Sequence, residues 1–315
     1  MKTATIVKHT GSHYLLAELP EWNLFPAVLR GKIRLGGSSA TNPVAVGDRV
    51  SFVFDGEADE VPSPEHPAVI TSVLPRKNYM IRKSANLSRQ AHIIAANLDR
   101  AFIIVTMDFP EVKLPFLDRL LVTCEVYGIP AVIVVNKTDL YGADALAGLE
   151  AFHSIYENAG YEVVDVSALT GKGVDRIREM CRDSVSLFSG VSGVGKSSLI
   201  KAVDPSLSPR TGEISGAHLQ GRHTTTFYEM YRLASGGFII DTPGIRGFGL
   251  VDLAREEIAL YFPEMRRVAG ECRFSPCTHT HEPGCAVKRA VESGDISLER
   301  YESYLGMLDE GGKYR

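Results

Sequence analysis

Long apolar runs are missing from this chain: no stretch approaches the ~20 consecutive apolar residues that a membrane-spanning helix requires. The opening segment, MKTATIVKHTGSHYLL, alternates like a strand and lacks the unbroken apolar segment of a secretory signal. Basic residues are not in excess. Lys and Arg number 34 against 38 Asp and Glu, a formal net charge of −4, so bulk charge does not make the chain a nucleic-acid binder and only local patches remain for that role. Cysteine is scarce, with five in 315 residues. These shortages predict a cytoplasmic protein without a membrane segment, long enough for two or three domains.

The cysteines divide into two kinds. Cys124 and Cys181 are isolated in apolar segments of helical character and read as inert buried thiols. Cys272, Cys277 and Cys285 cluster with His279, and in a reducing compartment that clustering favours a metal over disulfides. Three thiolates and one imidazole would complete a tetrahedral Zn²⁺ shell with no open position, hence a structural site with one zinc per chain. His281, two residues further on, is an alternative ligand that spacing does not exclude.

The first ~75 residues consist of short alternating runs separated by Gly, Pro and Asn. About five strands at that spacing predict a small β-barrel, and the OB-fold suits the strand count. From Arg76 the pattern becomes α/β. RAFIIVTM (100–107) and PAVIVVN (130–136) are continuous Val- and Ile-rich runs, as expected of parallel strands covered on both faces. Between them a helix is predicted to begin near Pro115 and end at Gly128. Helices and strands go on alternating to about residue 203, and strands near 227–233 and 237–241 complete a doubly wound sheet. Beyond about residue 254 the chain reads as helical, interrupted by the Cys/His loop.

Gly190–Ser197 satisfies G-x-x-x-x-G-K-[ST] at every fixed position, follows the apolar strand VSLFS and opens a helix, which is the context that gives this motif meaning. Gly190, Val191, Ser192, Gly193, Val194 and Gly195 would wrap a phosphate with backbone N–H groups, Lys196 would reach the β- and γ-phosphates, Ser197 would ligate Mg²⁺, and Ser198 continues the helix start. In DTPG, Asp241 is placed to join the Mg²⁺ shell and Gly244 to offer its N–H to the γ-phosphate. Asn136-Lys137-Thr138-Asp139 has the form N-K-x-D. The Asp139 carboxylate can accept from guanine N1–H and the 2-amino group, donors that adenine lacks, while Asn136 and Lys137 brace the site and cover the base. Ser167-Ala168-Leu169 follows another strand, where a backbone N–H commonly meets guanine O6. The order is unusual, because the base reader precedes the phosphate loop.

The succession N-K-x-D, S-A-L, phosphate loop, Thr-rich segment, D-T-P-G resembles a circularly permuted GTPase, in which the strands keep their places and only the covalent connections differ. With the barrel and the Cys/His knuckle added, the whole chain resembles the RsgA family of ribosome small-subunit-dependent GTPases. The resemblance implies an N-terminal OB-fold barrel (1–75), a circularly permuted P-loop GTPase domain of α/β class (76–255) and a C-terminal α-helical zinc-binding domain (256–315). It implies GTP hydrolysis stimulated by the small ribosomal subunit and a role in late subunit assembly, with GTP/GDP, that subunit and its rRNA as partners; nothing in the sequence argues for a dimer, so a monomer is expected. Ile245 stands where many GTPases place a water-orienting glutamine. His223 in GRHTTT, the segment matching the family's switch, is the candidate to position the water. By the same match Thr225 is favoured as the second Mg²⁺ ligand over Thr224 and Thr226. Arg30, Lys32 and Arg34, with Arg76, Lys77, Arg82, Lys83, Arg89 and Arg100, are the best local candidates for RNA phosphate contacts. A nucleotide-gated RNA-binding module with negligible turnover is the alternative of different class.

Overall fold

The computed structural model describes residues 2–10, 13–29, 44–56, 60–83, 91–208, 228–242 and 253–313. Its first part contains β1 (Lys2–Thr10), β2 (His13–Glu18), β3 (Asn23–Leu29), β4 (Arg49–Val53) and β5 (Ala68–Val73). These pair in the order β1-β2-β3-β5-β4, and β4 returns to β1 through Lys2↔Phe52 to Thr5↔Arg49, closing a five-stranded, OB-like barrel. Alternation along the strands fills it: Ile6, Leu16, Val50 and Ile70 point inward and are fully buried.

A hairpin of β6 (Tyr79–Lys83) and β7 (Ala91–Ala96) follows, in a region whose sequence pattern had suggested only the start of the α/β domain. It lies against the barrel, with Ala96 N donating to Val46 O (2.9 Å). Arg76, just before it, makes a bidentate pair with Asp48 (2.6 and 2.7 Å), whose side chain has 0% exposure.

The remaining strands and helices are β8 (Arg100–Val105), α1 (Leu114–Val126), β9 (Ala131–Val135), α2 (Ala143–Ala159), β10 (Glu162–Asp165), α3 (Val174–Cys181), β11 (Val185–Ser189), α4 (Lys196–Val203), β12 (Glu229–Arg232), β13 (Phe238–Asp241), α5 (Pro263–Val268), α6 (Ala286–Ser293) and α7 (Leu298–Lys313). The sheet runs β10-β9-β8-β11-β13-β12, parallel except for β12, which is antiparallel to β13. Period-two alternation decides which helix covers which face. In β8, Ala101, Ile103 and Val105 pack with α1 and α2, whereas Phe102 and Ile104 pack with α3 and α4. Both faces are thus apolar, which is why this strand reads as a continuous hydrophobic run.

Helix α1 begins with Pro115 in its first turn and ends at Tyr127, followed by Gly128 at φ +63°, whose N–H returns to Glu125 O. Cys124 and Cys181 are buried, and burial raises their thiols to about 12 and about 11, so both stay protonated, as read from the sequence. The barrel and the sheet are continuous through β1 and β12: Lys8 stands opposite Glu229 and pairs with it at 2.7 Å. Trp22 stacks on Phe238 across the same seam, with ring centroids 5.3 Å apart. Among the described residues no helix is long and apolar enough to cross a membrane.

Candidate functional site

Parallel strands deliver their C-terminal ends to one edge of the sheet, and an α/β sheet of this kind holds its ligand in the crevice outside those ends. Four of the motifs and one further loop arrive there on neighbouring strands. Gly190–Gly195 follows β11, Asp241 ends β13, Asn136–Asp139 follows β9, Ser167–Ala168 follows β10, and a loop from Thr106 to Val112 follows β8 between them.

Asn136 joins three of these segments. It is buried; its Nδ2 donates to Val194 O in the phosphate loop (2.9 Å), its Oδ1 accepts from Ala168 N (3.1 Å), and its backbone N donates to Val105 O (2.9 Å). A Cβ on Gly195, which has φ +88°, would stand 2.5 Å from Asn136 Nδ2, so only glycine allows this approach. Lys137 adopts a left-handed conformation (φ +65°) and sends Nζ to Phe109 O (2.8 Å). Asp139 is exposed, and its Oδ1 accepts from the buried Ser167 hydroxyl at 2.5 Å. That bond orients the carboxylate without neutralising it. Thr138 anchors the turn through Oγ1 to Val166 O (3.1 Å).

In the phosphate loop Lys196 is buried, and its Nζ donates to Gly190 O (2.8 Å) and Val191 O (3.2 Å). An ammonium has three N–H donors, so this leaves one for an anion seated in the loop. Burial lowers the Lys196 pKa, and Asp241 nearby opposes that shift. Burial likewise pushes Asp241 up to about 6 against the pull of Lys196, and its buried Oδ1 has no partner among the described residues. A buried carboxylate oxygen without a donor suits a cation, held directly or through its water. Ser197 and Ser198 occupy the first turn of α4, behind the loop. His223, Thr225 and Gly244, together with Thr224, Thr226 and Ile245, lie outside the described residues.

The Cys/His cluster lies away from this edge. Cys272, Cys277, His279 and Cys285 bring their ligand atoms within 4.8 Å of one another. Cys272 Sγ is 3.9 Å from Cys285 Sγ, and His279 Nδ1 is 3.3 Å from Cys285 Sγ and 3.6 Å from Cys272 Sγ. Tetrahedral bonds of ~2.3 Å from one zinc would set two sulfurs about 3.8 Å apart, so the donor set and its spacing suit that ion. Backbone N–H groups of Ala286 and Lys288 point at Cys272 and Cys285 Sγ (3.3 and 3.5 Å). His281 is exposed, bonds Thr280 Oγ1 and takes no place in the cluster.

Of the basic residues expected to meet RNA, Arg76 is committed to Asp48 and Lys77 to Asp99 (2.7 Å). The Arg76–Asp48 pair is buried, whereas Lys77 and Asp99 form an exposed surface pair. Arg30, Lys32, Arg34 and Arg89 lie outside the described residues.

Sequence reading missed the Thr106–Val112 loop. Its Pro110 ring lies 3.5 Å from where a Cβ on Gly193 would stand, and Thr106 Oγ1 closes it on Pro110 O (2.6 Å). Nothing in TMDFPEV signals this, because the loop acts through backbone carbonyls and van der Waals contact.

A glycine-rich G-x-x-x-x-G-K-S loop, an N-K-x-D segment and a buried aspartate on one sheet edge, reached in permuted order, define a circularly permuted P-loop GTPase with an OB-like barrel and a Cys3His cluster. Comparison with known proteins agrees. The family model described as RsgA GTPase matches residues 73–251. The chain is 48% identical to a small ribosomal subunit biogenesis GTPase RsgA of Bacteroides fragilis over 98% of both chains, and 47% identical to an RsgA 2 of Bacteroides thetaiotaomicron at the same coverage. It superposes on the crystal structure of YjeQ from Thermotoga maritima with TM-score 0.77 at 32% identity, covering 98% of each chain. YloQ, described as a circularly permuted GTPase, gives TM-score 0.74 at 28% identity over 100% of this chain and 96% of that one. The protein belongs to the RsgA GTPase family.

Proposed function

We propose that this protein hydrolyses GTP at the C-terminal edge of the sheet and serves the small ribosomal subunit as a late assembly factor, as a monomer in the cytoplasm. The observation that carries this reading is the Asn136–Val194 hydrogen bond, which holds base-reading and phosphate-binding segments in one pocket. Asp139, oriented by Ser167, accepts from the guanine edge, and the Ser167–Ala168 turn flanks that edge, with the Ala168 N–H held by Asn136 Oδ1. Lys137 covers one face of the base. Gly190–Gly195 and the N-terminus of α4 receive the β-phosphate, and Lys196 turns its remaining N–H toward the β- and γ-oxygens. Mg²⁺, if bound with the nucleotide, would neutralise charge on those oxygens. Ser197, Thr225 and Asp241 would hold it, Gly244 would meet the γ-phosphate, and His223 would orient the attacking water. We assign residues 1–75 to ribosome and rRNA contact, 76–255 to nucleotide chemistry and 256–315 to a zinc-stapled helical unit.

Hydrolysis measured with and without purified small subunits tests the reading. Subunits should raise turnover by about tenfold or more, since the glutamine position is occupied by Ile245 and intrinsic hydrolysis should be slow. Absence of stimulation would leave a nucleotide-gated binding module instead. Metal analysis of the purified chain should return one zinc. Cys277→Ser should reduce that occupancy and loosen the segment around α6 and α7, detected by faster amide exchange there.

A further inference from the structure

Two residues near the base reader sit in left-handed backbone conformations that L side chains rarely adopt: Lys137 at φ +65° and Phe109 at φ +47°. Such strain persists only where surrounding contacts over-determine it. Here the contacts form a closed circuit. Lys137 Nζ donates to Phe109 O (2.8 Å); two residues back, Met107 N donates to Tyr141 Oη (2.9 Å); and Tyr141 Oη donates to Asn136 O (2.5 Å), the carbonyl bonded directly to Lys137 N.

The last of these bonds fixes the plane of the Asn136–Lys137 peptide. Rotating that plane by about half a turn would carry Lys137 φ out of the left-handed region to a negative value. It would also withdraw the Asn136 carbonyl from Tyr141. Burial raises the Tyr141 hydroxyl to about 12, so it keeps its proton and remains a donor.

We propose that Tyr141 is a positioning residue for guanine recognition: its hydroxyl locks the Asn136–Lys137 peptide in the strained orientation that stands Lys137 over the base and ties the base reader to the Thr106–Val112 loop. The inference rests on the reading of Asn136–Asp139 as a guanine reader, and it adds a residue that lies outside that motif. Tyr141 touches neither phosphate loop nor metal, so its effect falls on nucleotide retention and not on the chemical step.

The test uses the full chain and a fluorescent guanosine diphosphate, with dissociation followed by stopped flow. Tyr141→Phe keeps the ring and removes both hydrogen bonds of the hydroxyl. Dissociation should become about tenfold faster, while turnover at saturating GTP stays within about twofold of wild type. Lys137→Ala should accelerate dissociation too, and adding Tyr141→Phe to it should have little further effect, because the residue being positioned is gone. Unaltered dissociation in Tyr141→Phe, with or without a lower melting temperature, overturns the proposal, as do additive losses in the double variant. Asp139→Asn separates this from the parent reading: its amide should pair with xanthine in place of guanine, and retention of guanine preference would sink both. A switch to xanthine with an unaffected Tyr141→Phe would sink the positioning role alone.

Discussion

Arg300→Ala should lower the stability of the folded chain by about 3–5 kcal/mol, the largest stability effect expected of any single substitution here. Arg300 on α7 is 1% exposed. Its Nε and Nη2 reach Glu264 on α5 (2.7 and 3.1 Å) and its Nη1 reaches Asp118 on α1 (2.7 Å), which also accepts from Tyr156 Oη (2.8 Å). The guanidinium lies 4.6 Å from the Phe262 ring centroid, in an arrangement that only a planar cation fills well. Removing it leaves two carboxylates in an apolar interface without a counter-charge, and the desolvation cost already incurred is no longer offset.

The pH dependence of that deficit has a definite sign. Burial already raises Asp118, and Arg300 is the main opposing influence. With Arg300 absent, Asp118 has a folded pKa further above its unfolded one, so the variant gains relative stability as pH falls toward that value. Urea unfolding at pH 7 and pH 5 should show the gap to wild type narrowing at the lower pH. A gap that widened would assign the loss to packing around Phe262 and Tyr156 instead. Replacing Arg300, Asp118 and Glu264 together by apolar residues of similar volume should restore much of the loss, because no isolated charge then remains buried.

Lys196→Ala should reduce GTP hydrolysis by about 10²–10³-fold, in line with the removal of a preorganised charge from a developing phosphoryl transition state. The ligand-free protein should unfold within a few degrees of wild type. Burial works against the Lys196 charge in the free protein, and Asp241 nearby opposes that shift only partly. Activity and stability therefore separate at this residue, whereas at Arg300 stability is lost directly. Lys196→Arg should not rescue turnover, because a planar fork does not replace a compact ammonium against Gly190 O and Val191 O. Hydrolysis and thermal unfolding of the same preparations check both statements, and normal turnover in Lys196→Ala would remove the phosphate-loop assignment.

The phosphate loop, the base reader and the Cys3His set were legible because each is short, and its backbone requirements are written within a few residues: glycines where the chain approaches itself, a lysine at the helix start, thiolates at ligand spacing. The alternating burial of β8 and the barrel strands was legible for the same reason, since a period of two is a local property. The closed barrel and the parallel sheet follow from those patterns. Hairpin β6–β7 was not, because its apolar residues are divided between barrel and sheet and carry no single period.

By itself the sequence determined the class of chemistry, the strand-and-helix succession and the Cys3His cluster, all of which depend on residues near one another in the chain. Tertiary structure alone decided that Arg76 and Lys77 stand beside Asp48 and Asp99. It also decided that Asn136 bridges to Val194, 58 positions away, and that Arg300 closes on Asp118 from 182 positions along the chain. Partners so distant are chosen by how the layers pack, and a buried charge or amide bonds with whatever that packing sets beside it.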